Sequence, residues 1–207
     1  MHALAEDDNT PDATTVQSAA VGSRLRELRE NSGMSLRELA RQLGITPSAV
    51  SQIERGAKQP SVNRLLAIVT ALGVPLTDVF SGGVPASTDT ADTLRGRVIT
   101  RRADTAPVEL EDGVIFRRLS PGAIDGIDFF ESIYPPLSRA SSQNALLRHE
   151  GYEVGTVVSG QLTVEFENEI VVLSSGDSIT FSCSDPHLIR NASAEATAVA
   201  TWLIVHS

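Results

Sequence analysis

The sequence predicts a two-domain α+β protein, in which an all-α N-terminal domain is followed by an all-β C-terminal domain. Two observations support this fold class. Between residues 21 and 80, apolar side chains recur every three or four positions, which is the spacing of amphipathic helices. From residue 94 to residue 207, short runs rich in Val, Ile, Thr and Phe alternate with Gly, Pro, Ser and Asp, which is typical of many short strands.

The other two segments predict a tail and a linker. Residues 1–20 are acidic and polar, and we expect them to be disordered. Residues 81–93 are small, polar and bear Gly and Pro, so we expect a linker that separates two hydrophobic cores. A single cysteine excludes an intramolecular disulfide. Because no apolar stretch is long enough to span a bilayer, we expect a cytoplasmic protein with no membrane partner.

Charge is divided unevenly along the chain. The formal net charge of −9 argues against nucleic-acid binding by the chain as a whole. Residues 21–80, however, contain seven Arg and Lys58 against five acidic side chains, and this is the one basic segment. An asymmetry of this kind points to a partner for the helical domain. Because the excess of basic over acidic residues is modest, the argument depends on the helix pattern.

The helical segment contains the signals of a helix-turn-helix unit. Ser35 and Glu38 form an S-x-x-E capping box before an apolar helix, and Gly44 lies where a left-handed residue ends it. Thr46 can cap a third helix whose first position is Pro47, where the missing N–H costs nothing. Two short helices joined by a tight glycine turn predict this DNA-binding motif.

The third helix has one apolar and one polar face. Val50 and Ile53 point toward the predicted core. The outward-facing residues are Pro47, Ser48, Ser51, Gln52 and Arg55. Small hydrogen-bonding side chains suit a helix placed against base edges in a major groove. The alternative is a solvated polar face, in which we would expect more Glu and Lys.

These residues resemble the Cro/repressor (XRE-type) helix-turn-helix family along its whole five-helix length. The shared features are the Glu-Leu-Ala motif, the turn glycine, S-x-I-E-x-G and the final Leu-Gly-x-x-Leu. The resemblance implies DNA-facing positions at Thr46, Pro47, Ser48, Ser51 and Gln52, and phosphate contacts from Ser35 and Lys58. It also implies an ion pair between Arg29 and Glu54. An exposed pair of this kind contributes under about 1 kcal/mol, so we expect its role to be geometric.

The C-terminal segments predict an antiparallel barrel or jelly roll. Two of them carry titratable residues, in the patterns H-x-x-x-E-x6-G, beginning at His149, and G-D…P-H-x-x-x-N, ending at Asn191. These patterns resemble the cupin family, which implies a jelly-roll barrel over residues 94–207. By this resemblance His149, Glu153 and His187 are the metal ligands, while Leu147 stands where many cupins have a further histidine.

Two histidines and one carboxylate can form a facial triad on Fe(II) or a similar ion, and Zn and Ni stay open as alternatives. The alternatives without a metal are that these three residues are polar side chains with hydrogen-bond partners inside the barrel, or that they are remnants of a lost metal site. We expect Cys183 to pack in the core and Asn191 to hydrogen-bond at a turn or strand end. Candidates to line an effector pocket are Tyr134, Arg148 and Tyr152.

A helix-turn-helix joined to a cupin implies a transcriptional regulator, and we expect a repressor that binds an operator as a homodimer through the cupin domain and senses a small-molecule effector. The alternative is an iron cupin enzyme of the hydroxypropylphosphonate epoxidase type. That family uses an active-site lysine and strand tyrosines, whereas this chain has only Lys58 and Phe129-Phe130. A partner-binding module such as an antitoxin is the third interpretation. The polar face of the third helix favours the regulator.

Overall fold

The structure is a computed structural model, and it consists of an N-terminal helical domain and a C-terminal domain of antiparallel sheets. It describes residues 13–82, 99, 101–102, 105–120, 126–141 and 145–206. The predicted order of a helical domain followed by a β domain is confirmed.

The described part of the helical domain contains four α-helices and a 3-10 helix. They are α1 (Ala13–Asn31), α2 (Leu36–Gln42), α3 (Pro47–Glu54), α4 (Val62–Leu72) and the 3-10 helix Leu76–Gly82. Helices α2, α3 and α4 begin after Ser35, Thr46 and Ser61, whose hydroxyls each accept a hydrogen bond from a backbone N–H three residues later. Helix α4 ends at Gly73 in the left-handed conformation, which glycine adopts without steric cost.

Two expectations for this domain are wrong. A fifth α-helix does not form, because the segment after Pro75 is short and contains β-branched Thr77 and Val79, and it closes as a 3-10 helix instead. The tail is not wholly unstructured either, since residues 13–20 already belong to α1. Residues 1–12 of the predicted tail and residues 83–93 of the predicted linker lie outside the described residues.

Nine strands are described in the β domain. They are β1 (Val108–Glu109), β2 (Ile115–Arg118), β3 (Ile127–Tyr134), β4 (Tyr152–Ser159), β5 (Gln161–Phe166), β6 (Ile170–Ser174), β7 (Ser178–Ser182), β8 (His187–Arg190) and β9 (Ala198–Val205). A six-stranded sheet has the order β1-β2-β3-β9-β4-β7, and a three-stranded sheet has the order β6-β5-β8. All pairs are antiparallel.

The described strands do not close into a barrel. In the part of the chain that the structure describes, the two sheets stay separate, and the chain passes between them at tight turns such as Gly160, which has a φ of 76°. A side chain there would collide with the backbone of Thr197 and Ala198. The inner faces of the two sheets pack on each other through one set of buried apolar residues that includes Leu162, Leu188 and Trp202.

The helical domain packs directly on the β domain, so the expectation of two separated cores is wrong. Asp128, fully buried on β3, accepts hydrogen bonds from the backbone N–H groups of Leu76 (3.0 Å) and Thr77 (2.9 Å). Its Oδ2 also lies 2.9 Å from Nε2 of His206. A carboxylate of the β domain therefore caps the last helix of the helical domain.

Helix α4 forms the second part of this contact. The Asn63 side chain donates to the carbonyl of Ala145 at 2.7 Å, and its backbone N–H donates to the carbonyl of Ala140 at 2.9 Å. Just before α4, the carbonyl of Pro60 accepts from the N–H of Glu111 at 3.0 Å. No helix in the described part of the chain is both long and apolar enough to cross a membrane.

Replacement of Asp128 with Ala is expected to lower the free energy of unfolding by about 3 kcal/mol, because buried N–H groups lose a charged acceptor. Denaturant titration of the full chain measures this loss. The matched control is Asp177→Ala, since Asp177 also accepts a backbone N–H but at an exposed turn. We expect the control to lose under about 1 kcal/mol. Equal losses in the two variants would contradict a special role for Asp128.

Candidate DNA-binding face and candidate metal centre

Helix α3 presents a polar face to solvent, with Val50 and Ile53 buried on the other side. The predicted DNA-contact residues that are exposed are Ser35, Thr46, Pro47, Ser48, Gln52, Arg55 and Lys58, while Ser51 is half-buried. Thr46 caps α3 through the N–H of Ala49 at 3.2 Å, as expected from the sequence. The α3 residues of the predicted set therefore share one outward face.

Helix α2 begins after the predicted cap residue, but only one of the two hydrogen bonds of the capping box is present among the described residues. The Ser35 hydroxyl accepts from the N–H of Glu38 at 3.1 Å. The Glu38 carboxylate instead accepts hydrogen bonds from Arg41 and Gln42 in the next turn. Ser35 is thus a helix cap that also stands at the exposed end of α2.

A buried ion pair fixes α3 to α1. Arg29 donates from Nε and a terminal nitrogen to the two carboxylate oxygens of Glu54, at 2.6 and 3.0 Å. Both residues are buried, so the small energy of an exposed pair does not apply here. The hydrogen bonds to Glu54 raise the pKa of Arg29. Removal of one partner from a buried pair costs about 3–5 kcal/mol, because the other charge is left uncompensated.

A close backbone approach at Gly22 adds to this restraint. A Cβ at Gly22 of α1 would lie 2.4 Å from the carbonyl oxygen of Ile53 and 2.8 Å from that of Glu54. The end of α3 therefore touches the backbone of α1. The isolated glycine in a helical pattern was the only sequence signal for this contact.

The three proposed metal ligands come together inside the β domain. Glu153 points inward from β4, His187 lies on β8, and His149 precedes β4. Their side chains are about 5% exposed or less. One ligand atom from each residue can be chosen so that all lie within 4.8 Å of one another.

Backbone carbonyls orient both histidine rings. Nδ1 of His149 lies 3.2 Å from the carbonyl oxygen of Glu150, and Nδ1 of His187 lies 2.8 Å from that of Asp185. Because a carbonyl oxygen only accepts, each Nδ1 carries a proton in the neutral ring, and each Nε2 keeps its lone pair. This is the tautomer that metal-binding histidines use, with the second nitrogen held by an outer partner.

The Nε2 atoms of both histidines face the Glu153 carboxylate, but the three side chains do not form a closed hydrogen-bond network. Nε2 of His187 lies 3.4 Å from Oε2 of Glu153, and Nε2 of His149 lies 4.0 Å from it. Oε2 of Glu153 and Nε2 of His149 are buried with no hydrogen-bond partner among the described residues. Orphaned acceptors of this kind are costly unless an ion or water satisfies them. The donor set therefore fits a divalent transition metal.

The two histidines differ in their protonation. Burial lowers the pKa of His149, and the Glu153 carboxylate only partly opposes this. Burial also acts to lower the pKa of His187, but the nearer Glu153 carboxylate and the carbonyl of Asp185 outweigh it and raise the pKa. His187 is thus the ring that binds a proton more readily when no metal competes for it.

Helix α4 closes the cavity above this cluster, which sequence analysis did not anticipate. Val62, Asn63 and Leu66 of α4 line the cavity together with Glu153 and His187. The cavity has a volume of about 10 Å³, which is room for one water-sized occupant. The helical domain therefore forms one wall of the candidate metal centre.

Aromatic residues form much of the remaining wall. Phe130 and Tyr134 of β3 and Trp202 of β9 line the cavity. Trp202 donates from its indole N–H to the Ser132 hydroxyl at 2.9 Å. A Cβ at Gly155 would lie 2.1 Å from the Trp202 ring, so glycine is required beneath it. Burial and the Glu153 charge raise the pKa of Tyr134.

The other sequence candidates have distinct locations. Asn191 is buried and donates to the carbonyls of Tyr134, Pro135 and Ala196, which confirms its structural role. Cys183 is buried as expected, and burial raises its pKa to about 12. Of the three candidate effector-pocket residues, Tyr134 lines the cavity, whereas Tyr152 and Arg148 are exposed away from it.

The features of the alternative enzyme are not assembled here. Lys58 does not line the cavity, and its Nζ lies 4.0 Å from a Glu111 carboxylate oxygen. Phe130 faces the cavity, while Phe129 lies on the outer face of the sheet.

Comparisons with known proteins agree with both domains. A helix-turn-helix family model matches residues 25–79, and a cupin domain model matches residues 139–204. A solved helix-turn-helix transcriptional regulator from Vibrio cholerae has a similar fold, with a TM-score of 0.66 at 20% identity over 94% of this chain and 99% of that one.

Two curated relatives extend over both domains. The transcriptional regulator PuuR of Escherichia coli is 26% identical over 178 residues, which are 86% of this chain and 91% of PuuR. The regulator SutR of the same organism is 25% identical over 171 residues, which are 83% of this chain and 86% of SutR. Both relatives are named as transcriptional regulators, which confirms the regulator interpretation. This chain is a DNA-binding transcriptional regulator of the helix-turn-helix (XRE) type with a C-terminal cupin domain.

Proposed function

We propose that this regulator is a repressor that binds a palindromic operator as a homodimer, with residues 21–80 on the DNA and residues 94–207 as the sensing and dimerisation domain. The observation that carries this proposal is the capped α3 with its exposed polar face. Because operator DNA lies in the cytoplasm, we place the protein there. We infer that the two sheets form the cupin jelly roll and that it responds to a small molecule.

The face of α3 supports base contacts by its chemistry. Thr46, Ser48 and Gln52 are exposed and carry no charge, so they can approach bases without a large desolvation cost. Arg55 and Lys58 follow at the end of the helix, where cations can reach phosphates. The buried Arg29–Glu54 pair holds this face in a fixed orientation.

Replacement of Gln52 with Ala is expected to relax sequence preference and to cost about 1–3 kcal/mol on the preferred operator, if Gln52 makes a bidentate base contact. Replacement of Lys58 with Ala should weaken binding to all sequences by a similar factor and reduce its salt dependence. Selection from a random DNA pool, followed by titration at several salt concentrations, measures both effects.

The control for these variants is Arg148→Ala, which removes an exposed cation from the β domain. We expect it to leave operator affinity and salt dependence unchanged. Failure of the wild-type chain to enrich any motif from the pool would contradict sequence-specific binding.

The outer face of the six-stranded sheet is suited to a second copy of this chain. Phe129, Leu203 and Val154 are in register across β3, β9 and β4, and Ile127, Val205 and Tyr152 form the neighbouring row. Tyr152 is 58% exposed and Phe129 37%. A contiguous apolar patch of this kind indicates an interaction surface. Because the two rows carry no charge, the patch can pair with itself about a twofold axis without repulsion.

Replacement of Val154 with Glu is therefore expected to convert the dimer into a monomer, because a twofold interface would bury two unpaired carboxylates. Sedimentation velocity of the full chain measures this change. The matched control is Val172→Glu, since Val172 is exposed on the other sheet at β6. A dimer that is lost in the control and kept in Val154→Glu would show that the other sheet is the interface.

A divalent metal held by His149, Glu153 and His187 is the third part of the proposal. The buried acceptors without partners support it, as do the carbonyls that fix both histidine tautomers. A bound ion would supply a Lewis-acidic centre with open positions, because the chain offers three ligands and Leu147 replaces a fourth. Fe, Zn and Ni all suit two imidazoles and a carboxylate.

Replacement of Glu153 with Gln is expected to abolish stoichiometric metal binding, whereas Glu150→Gln, three residues earlier and exposed, should retain it. Elemental analysis and melting temperatures after addition of Zn(II), Ni(II) or Fe(II) measure the difference. Imidazole must be neutral to coordinate a metal, and the pKa of His187 is raised. As the pH is lowered, metal affinity should therefore begin to fall before pH 6.5 is reached, and it should then drop by about tenfold for each further pH unit. An unchanged melting temperature with every ion would contradict the metal proposal.

A further inference from the structure

A second and larger cavity lies between the two domains. It has a volume of about 280 Å³ and is distinct from the closed cavity at His187. One wall consists of α3 and the first turns of α4, and the other of Glu111 and the chain around Leu146 and Leu147. Asn63 lines both cavities, so its side chain stands between them.

The charges in this interdomain cleft favour an anion. Among the described residues, its charged lining consists of Lys58, Arg64 and Glu111. Arg64 is half-buried, and its guanidinium donates to the carbonyl of Leu43 at 3.1 Å. No carboxylate oxygen of the described residues lies within 4.0 Å of that guanidinium. Burial lowers the pKa of Arg64, and the more distant Glu111 only partly opposes this. The cleft thus holds a cation that has no ion-pair partner among the described residues.

The rest of the lining is largely apolar. Ile45, Ala49 and Ile53 contribute from the side of α3, and Leu146 and Leu147 from the β domain. A ligand that satisfies both parts has a negatively charged end for Arg64 and an apolar body. Pockets of this kind orient a ligand through a few polar groups and bind it mainly through apolar contacts.

We propose that this cleft binds a small organic carboxylate and is the effector site of the regulator. This inference rests on the proposed function for the sensing role, although ligand binding itself does not. The cavity at the metal cluster holds only one water-sized occupant, so an organic molecule fits in the cleft without displacing α4. A ligand in the cleft touches the inner side of α3 and the β domain together, and therefore changes how the two domains meet.

The test uses the full chain and 4-fluorophenylacetate as a probe, observed by fluorine NMR. We expect saturable binding, which Arg64→Gln weakens by about tenfold because a charge-assisted contact is lost. The neutral analogue 4-fluorophenethyl alcohol should bind about tenfold more weakly to the wild type than the carboxylate does. The control Arg148→Gln, which removes an exposed arginine outside the cleft, should bind the probe as the wild type does.

A second variant, Ala67→Phe, fills the cleft from α4 and leaves Arg64 in place. It should also reduce binding, which keeps the test valid if Arg64→Gln folds poorly. Unchanged binding in both variants would overturn the proposal. So would binding that His187→Ala abolishes, because the carboxylate would then lie at the metal cluster.

The sensing role is tested separately, by measuring DNA affinity with and without the probe. A change of at least about tenfold, absent in Arg64→Gln, supports an effector site. Probe binding that leaves DNA affinity unchanged would overturn the effector part. Failure of the unliganded chain to select any DNA motif would instead contradict the proposed function, and the binding measurement would stand on its own.

Discussion

The buried carboxylate of Asp128 is the contact on which the arrangement of the two domains depends. It lies on β3, with no exposure to solvent, and is stable there because two N–H groups of the helical domain and the His206 ring surround it. A buried charge needs such partners, so it specifies one docking geometry more strictly than an apolar contact would. In that geometry α4 covers the candidate metal centre and leaves the interdomain cleft beside it.

The features that sequence predicted correctly are those encoded over a few residues. The caps at Ser35 and Thr46 and the two faces of α3 depend on spacings of three or four positions. His149 and Glu153 are four positions apart, so local spacing predicted that they lie close together. The distant His187 was added to this cluster by the family resemblance, and the structure brings all three together. The Arg29–Glu54 pair was also implied by resemblance, although its burial was not.

The features that sequence missed depend on contacts between distant parts of the chain. Asp128 and Leu76 are 52 positions apart, and Asn63 and Ala145 are 82 apart. Neither position differs in pattern from an ordinary strand or helix residue. The fifth helix and the closed barrel were wrong for a related reason. Helical spacing did not distinguish a 3-10 turn capped by another domain from an α-helix, and strand spacing did not determine how sheets pair.

The restraints within the helical domain limit how a ligand could act on DNA binding. Arg29 and Glu54 join α1 to α3 by a buried bidentate pair, and Gly22 lets the two backbones touch. A shift of α3 alone would break this buried ion pair, and breaking a buried pair costs several kcal/mol. The hydrogen bonds between the domains include those of Asp128, Asn63 and Pro60. A rotation of the whole helical domain against the β domain would keep the Arg29–Glu54 pair intact, and it would require these contacts between the domains to rearrange instead. In a dimer held by the β domains, such a rotation would change the spacing of the two α3 helices, and with it the fit to two half-sites about one helical turn apart.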